Sequence, residues 1–407
     1  MEYIMAKVQK PSNRAKGWKL LQTKHNLFIT STLRNEMEEL LQNFYEEETR
    51  MGKKILFAGT KGITASILPG SRTLHALLKR RPGEQEYDYN DCMQELQEAD
   101  IVIVLEVEGL DWKVLRHLYM WWSGKKKQPR IILCGDFRRL LVTNGGKTSY
   151  LFASDAWMRL KLKPIILDDI VEQKDVEFFN MFRLVGIGDE RCLAYFNCRV
   201  QKELPQDSIA LCARKEKVAL LNSHRINQLP GMQKEYPAKG ELIDADFSKQ
   251  KIDKVLVVKP NMRVVALKND SKRRYYNGSL GTVLRMEENE ITVCFDNGNV
   301  VNMTRDTYSI KCKSSCRKKV SVQQFSLKAG YAITIHQSQG QIFDKVSIYA
   351  AGCWCAGQLY EALSRTNTIE GIYLEEPLKP EQLIVDERVV DYYNSIEEEF
   401  YEMMEED

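Results

Sequence analysis

Short apolar runs narrow the choice of fold more than any other feature of this chain. Ala99-Asp-Ile-Val-Ile-Val-Leu-Glu106 has no polar residue between Ile101 and Leu105, which is the pattern of a central strand covered on both faces. Ile131-Ile-Leu-Cys-Gly-Asp-Phe137, Asn26-Leu-Phe-Ile-Thr30 and Lys54-Ile-Leu-Phe-Ala58 also read as short buried strands. Between the last two, Asn35 to Arg50 places Met37, Leu40, Leu41 and Phe44 on one face of an amphipathic helix. Strand, helix and strand in that order predict a parallel βαβ unit, and hence an α/β fold.

A chain of 407 residues with 43% hydrophobic content is long enough for two or three domains with their own cores. No apolar run approaches the roughly 20 residues that span a bilayer, and Met1 to Lys10 lacks the apolar stretch of a signal peptide. An intracellular protein without a membrane partner is expected. Ten cysteines with no disulfide framework fit a reducing compartment. Cys312 with Cys316 and Cys353 with Cys355 are the close pairs, but no neighbouring motif supplies zinc-ligand spacing, so no metal is expected. The net charge of +3 does not by itself argue for nucleic acid. Lys79-Arg-Arg81, Lys125-Lys-Lys127, Lys272-Arg-Arg274 and Arg317-Lys-Lys319 are local basic clusters, each equally readable as a solvated loop.

Towards the C-terminus, Tyr331-Ala-Ile-Thr-Ile-His-Gln-Ser-Gln-Gly340 and Asp344-Lys-Val-Ser-Ile348 precede Gly357-Gln-Leu-Tyr-Glu-Ala-Leu-Ser-Arg365 and Gly371-Ile-Tyr-Leu374. These segments resemble the last two motifs of superfamily-one DNA helicases of the Pif and RecD type. There Ala-hydrophobic-Thr-Ile-His-Lys-Ser-Gln-Gly is followed by Gln-x-Tyr-Val-Ala-Leu-Ser-Arg. Two long ordered matches at the right separation are far more specific than a lone glycine motif. The resemblance runs roughly from Gly17 to Leu374.

It implies two RecA-like parallel-sheet domains with a small β-barrel inserted in the second. On that basis a flexible leader covers 1–16, the first domain 17–160, the second domain 161–254 and 313–378, the barrel 255–312, and an acidic tail 379–407. Ala58-Gly-Thr-Lys-Gly-Ile-Thr-Ala65 and Gly70-Ser-Arg-Thr-Leu-His75 are similar to family segments that touch single-stranded DNA. This makes Thr60, Lys61, Ser71, Thr73 and His75 candidate contacts, since hydroxyls on a loop can reach phosphates and a histidine can stack. A plain loop with a half-buried histidine is the bland alternative. The barrel turn Lys272, Arg273, Arg274, Tyr275 and the loop residues Thr334, His336, Gln337 and Ser338 complete the candidate set. Gln337 stands where the family has a lysine.

Against that frame, the positions serving nucleotide hydrolysis depart together. After the first strand the family has G-x-x-x-x-G-K-[ST], which cradles phosphates. Here Ile29-Thr-Ser-Thr-Leu-Arg-Asn-Glu-Met37 has neither glycine nor lysine, and Glu36, Glu38 and Glu39 occupy the positive end of the helix dipole. Leu105 replaces the magnesium-binding aspartate beside a retained Glu106, and leucine cannot hold Mg²⁺. Arg139 stands for the γ-phosphate-sensing glutamine, and Glu172 for an arginine finger before the retained Gln173. Arg365 is kept, with an ion pair across the interdomain cleft as its expected role.

Three readings follow: a non-catalytic nucleic-acid-binding subunit of a replication, transcription or repair assembly, bound to single-stranded or junction DNA; a purely protein-binding scaffold; or a working helicase using ATP and Mg²⁺ through an atypical site. Under the first two no cofactor is expected, and Glu106, Gln173 and Arg365 are vestigial. The acidic tail is a candidate protein-docking element, with a solubilising tail as the alternative.

Overall fold

The computed structural model describes residues 13–32, 34–64, 71–80, 88, 91–144, 147–167, 176–248, 250–314 and 318–405. Two compact units emerge. The first contains residues 1–201, 340–344 and 353–407; the second contains 202–339 and 345–352.

The first unit is built on a six-stranded parallel sheet. Its chain runs α1 (Asn13–Leu21), β1 (Leu27–Thr30), α2 (Arg34–Arg50), β2 (Ile55–Gly59), β3 (Arg72–Thr73), α3 (Leu74–Leu77), α4 (Gln94–Glu98), β4 (Ile101–Leu105), α5 (Trp112–Ser123), β5 (Arg130–Cys134), α6 (Asp155–Leu160) and β6 (Lys163–Ile166). The strand order is β3-β2-β4-β5-β1-β6, all parallel. β1 and β4 are buried at every residue, as their unbroken apolar runs require. Met37, Leu40, Leu41 and Phe44 of α2 enter the same core. The sheet extends past residue 160, because Lys163–Ile166 pairs along β1 from Leu27 to Thr30. Residues 13–16 of the expected leader lie in α1, which closes on the core through Leu20 and Leu21. Helices α7 (Val176–Gly186) and α8 (Arg191–Asn197) complete this part.

In the second unit, β7 (Ile209–Cys212) is followed by α9 (Lys215–Gln228), then by antiparallel strands from Lys234 to Ala329. Among them Arg263–Ala266, Leu280–Met286, Ile291–Phe295, Val300–Met303 and Leu327–Ala329 form a five-stranded sheet whose hydrogen-bonded order does not close on itself. Asn277-Gly278 and Asn297-Gly298 turn with glycine at φ +99° and +83°. The antiparallel region is wider than 255–312. Tyr236, Phe325 and Leu327 share one core with Val264, Val283, Val293 and Phe295, so the hairpin of Arg305–Lys311 with Lys319–Phe325 belongs to it. Ala332–Thr334 and Val346–Tyr349 then flank β7 in parallel.

The chain returns to the first unit with α10 (Gln358–Leu363) and α11 (Glu387–Glu405). The expected acidic tail is in its described part an amphipathic helix, whose Val389, Tyr393, Ile396 and Phe400 are buried in the first unit's core. Sparse apolar residues at 389, 393, 396 and 400 suffice to seat one face while Glu387, Asp391 and Glu398 stay in water.

Candidate functional site

The C-terminal ends of β1, β4 and β5 meet where a doubly wound sheet usually receives its ligand. β1 ends at Thr30 and α2 begins at Arg34, so three residues separate them. Ser31 gives its hydroxyl to the Leu167 carbonyl, and Thr32 accepts from Arg138 Nη2 at 3.2 Å. At the start of α2, Glu39 is paired with Arg14 of α1.

Beyond β5, the turn Gly135-Asp-Phe-Arg-Arg139 drives charged groups inward. Asp136 is 2% exposed and accepts from Arg138 Nε (2.8 Å), the Tyr360 hydroxyl (2.6 Å) and the Tyr393 hydroxyl (2.9 Å). Burial works against its charge, yet the Arg138 and Arg139 guanidiniums hold its carboxyl below the usual range. Tyr393 of α11 also receives the Phe137 amide at 3.0 Å and shares a hydrogen bond with Thr30 at the tip of β1. The Arg138 guanidinium lies 4.4 Å over the Tyr393 ring. Beside it, Tyr392 stacks on Phe152 and joins Phe28, Phe137 and Trp157 in an aromatic cluster.

Arg139 takes up the other side of the turn. Its guanidinium donates to Ser364 Oγ, and Glu361 and Asp136 overcome the cost of burial to keep it charged. Glu361 also accepts from the Leu140 amide at 3.3 Å and pairs with Arg365 at 3.1 Å, one turn along α10 and its C-terminal extension. Arg365 is 1% exposed, and it donates to the carbonyls of Glu361 and Gln341 and to Ser364 Oγ. One ion pair of Arg365 is thus with a neighbour on the same helical segment. The i,i+4 carboxylate reaches it before anything more distant can. Gly357, at φ +75°, lets α10 start against this turn, since a Cβ there would lie 2.6 and 2.7 Å from the carbonyls of Arg138 and Arg139.

Leu105 is buried at the end of β4, facing Gly59 and Cys134 in register. Glu106 leaves the strand at φ +55° and accepts a hydrogen bond from Thr64. Lys61 lies near Glu106 and Glu361; burial pulls its pKa down while these carboxylates oppose the shift. Glu108 accepts from the Asp136 amide at 3.2 Å, and burial, reinforced by the charge of Glu106, raises its pKa to about 8. Glu172 and Gln173 lie outside the described residues.

The candidate DNA-contacting residues separate into two groups. Thr60 and Ser71 are buried, Thr73 caps α3 through its hydroxyl, and His75 is exposed. In the second unit Lys272 and Arg273 are exposed and Arg274 pairs with Asp270. Tyr275 is buried against Phe295, with ring centroids 4.5 Å apart. It is a core residue of the antiparallel sheet and cannot serve as a stacking platform without leaving it. Thr334 and Ser338 are likewise buried, because Thr334 caps the following turn in a capping box with Gln337 and Ser338 bonds the Ile335 carbonyl. His336 and Gln337 remain exposed.

Sequence reasoning missed Glu108, Arg138, Tyr360, Glu361 and Tyr393. Glu361 carried a visible signal, a carboxylate where the helicase pattern has valine; Tyr393 carried none. Cys316 lies outside the described residues, and no cluster of three metal-ligating side chains occurs among those described. Nor, among them, is any helix long and apolar enough to cross a membrane.

No family model matches the chain. Individual relatives do. An ATP-dependent DNA helicase Pif1 of Bdellovibrio bacteriovorus is 27% identical over 410 residues, covering 94% of this chain and 91% of the relative. One from Campylobacter jejuni is 24% identical, covering 88% and 92%. The chain spans less than half the length of the human helicase PIF1, at 27% identity over 281 residues. Among solved structures, a Pif1 helicase described in DNA unwinding at forked duplex DNA superimposes with a TM-score of 0.79 at 25% identity, covering 96% of this chain and 98% of that one. A Bacteroides Pif1 bound to single-stranded DNA gives 0.76 at 25% identity, covering 94% and 96%. The two RecA-like domains and the resemblance to Pif-type helicases thus hold over nearly the whole chain.

Proposed function

We propose, from this chain's likeness to Pif1 helicases along almost its whole length, that it is a helicase-shaped DNA-binding protein that does not hydrolyse ATP. It acts as a non-catalytic subunit or scaffold in a replication, transcription or repair assembly. The observation that carries the reading is the buried Arg139–Glu361–Arg365 cluster, in which arginine and glutamate stand where the pattern has glutamine and valine and the Glu361 carboxylate offsets the charge of both arginines in the protein interior. Phosphoryl transfer depends on positive groups free to meet developing charge. Arg365 already has a carboxylate, two carbonyls and a hydroxyl as partners.

Other features support the same reading. The link of Ser31, Thr32 and Leu33 between β1 and α2 has neither the length nor the glycines of a phosphate cradle. Leu105 supplies no oxygen to a magnesium ion. Neither ATP nor Mg²⁺ is therefore a cofactor in this reading. DNA contact falls to exposed groups, His75, Lys272, Arg273, His336 and Gln337, with the half-buried Lys61 as a further candidate.

The test is phosphate release from ATP and Mg²⁺ with single-stranded DNA, measured beside an active Pif1 helicase. No release above background is expected; DNA-stimulated release abolished by Glu106→Gln would sink the proposal. Fluorescence anisotropy with a labelled single strand should show binding that weakens as salt rises. No binding at low ionic strength would remove DNA from the proposal and leave a protein scaffold.

A further inference from the structure

Helix α5 presents an outer face unlike that of an ordinary surface helix. From Trp112 to Lys127 the chain reads Trp-Lys-Val-Leu-Arg-His-Leu-Tyr-Met-Trp-Trp-Ser-Gly-Lys-Lys-Lys, with five cations and no acidic residue. Val114, Leu115, His117, Leu118 and Trp121 are buried against the sheet. At 100° per residue this leaves Trp112, Lys113, Arg116 and Met120 on one outward arc, and all four are exposed. Trp112 and Met120, 40% and 39% exposed, sit about 12 Å apart along the axis with Arg116 between them. Lys126 and Lys127 continue the positive charge past the C-terminus of the helix. Lys127 pairs with Asp100; Lys113, Arg116 and Lys126 have no ion pair among the described residues.

Exposed helix faces are ordinarily laced with both signs of charge, because like charges along a face repel and i,i+4 pairs stabilise. A face of one sign, carrying two large apolar side chains in line with its cations, is matched by a surface of the opposite sign that also has apolar groups to cover. We propose that the α5 face docks an acidic amphipathic segment of a partner protein, its carboxylates meeting Lys113, Arg116 and Lys126 and its apolar side chains covering Trp112 and Met120. A nucleic-acid backbone would match the cations but leave Trp112 and Met120 with nothing to bury. Aromatic and methionine side chains flanked by arginine are also the composition of binding hot spots.

The proposal does not depend on the loss of ATP hydrolysis or on DNA binding, and its test separates them. The probe is a fluorescein-labelled synthetic helix-forming peptide with glutamates on one face and Leu and Phe on the other. A peptide of the same composition in scrambled order serves as control, and anisotropy is read with the full chain. The ordered peptide is expected to bind, more weakly as salt rises, with affinity falling about tenfold or more in Arg116→Glu and several-fold in Trp112→Ala or Met120→Ala. Single-strand DNA binding should stay unchanged in all three variants. The proposal fails if the ordered peptide does not bind at low salt, or binds no better than the scrambled one. It fails equally if Arg116→Glu leaves binding intact. Displacement of the peptide by duplex DNA, with duplex affinity itself lowered by Arg116→Glu, would assign the face to nucleic acid instead. Loss of self-association in Arg116→Glu by sedimentation would assign it to a second copy of this chain.

Discussion

Two regions of this protein that resemble helicase motifs have been treated in opposite ways. At the C-terminal edge of the first sheet, charged and hydroxyl groups turn inward: Asp136 bonds Arg138, Tyr360 and Tyr393, Arg139 bonds Ser364, and Glu361 pairs with Arg365 while its charge also favours Arg139. In the second unit, Lys272, Arg273, His336 and Gln337 are exposed, although the Gln337 amide oxygen also closes a capping box on Thr334. A polar group becomes available to a ligand only when the fold leaves its bonding capacity unfilled. The first region keeps its charges in the interior beside one another; the second keeps Lys272 and Arg273 at the surface.

The sharpest way to break this contrast is to remove the carboxylate shared by two buried arginines. Glu361→Ala should destabilise the protein by about 3–5 kcal/mol in urea unfolding, since Arg139 and Arg365 would stay buried without their counter-charge. The double change Arg139→Gln with Glu361→Val should recover more than half of that loss. If the double variant is as unstable as the sum of the singles, the two positions are not coupled and the internal pairing has been misread.

Glu108 sharpens the comparison through pH. Its folded pKa, about 8, lies above the ordinary carboxylate value, so the folded state holds a proton that the unfolded chain gives up. Stability from this group is complete below about pH 4.5, declines as pH rises, and levels off above about 8. Glu108→Gln should therefore raise the melting temperature most near pH 8 and least near pH 5, with a difference on the order of a few kcal/mol. Equal shifts at both pH values would count against a neutral Glu108. The smallest effect belongs to the exposed region. Gln337→Lys adds one charge to the loop that the helicase pattern also charges; it should tighten single-strand binding a few-fold and steepen the salt slope by about 0.7. Melting temperature should barely move, although Gln337 gives up its side of the capping box.

How much could be read beforehand follows from the range over which each feature acts. The strands Leu27–Thr30, Ile101–Leu105 and Arg130–Cys134 were legible because their burial on both faces is written into consecutive residues. The wider antiparallel region was harder to bound, because alternating strands look alike on either side of residue 312. Tyr275 looked like a base-stacking aromatic among cations, and only its packing on Phe295 placed it in a core. The pairing of Arg365 with Glu361, four residues earlier, shows only in the folded helix, because no family pattern places a carboxylate there.

Taken alone, the order of apolar runs and the helicase-like segments determined a parallel α/β architecture, and the residues themselves put no glycine or lysine between Ile29 and Met37 and a leucine at position 105. Those are local facts of residue type and spacing, and local sequence carries them. Only the tertiary structure decided which distant groups meet beside them. Tyr393 lies 363 residues from Thr30, yet the two hydroxyls are 2.9 Å apart. Burial gives each inward-facing polar group a partner or a penalty, and which partner arrives is settled by the folded chain as a whole.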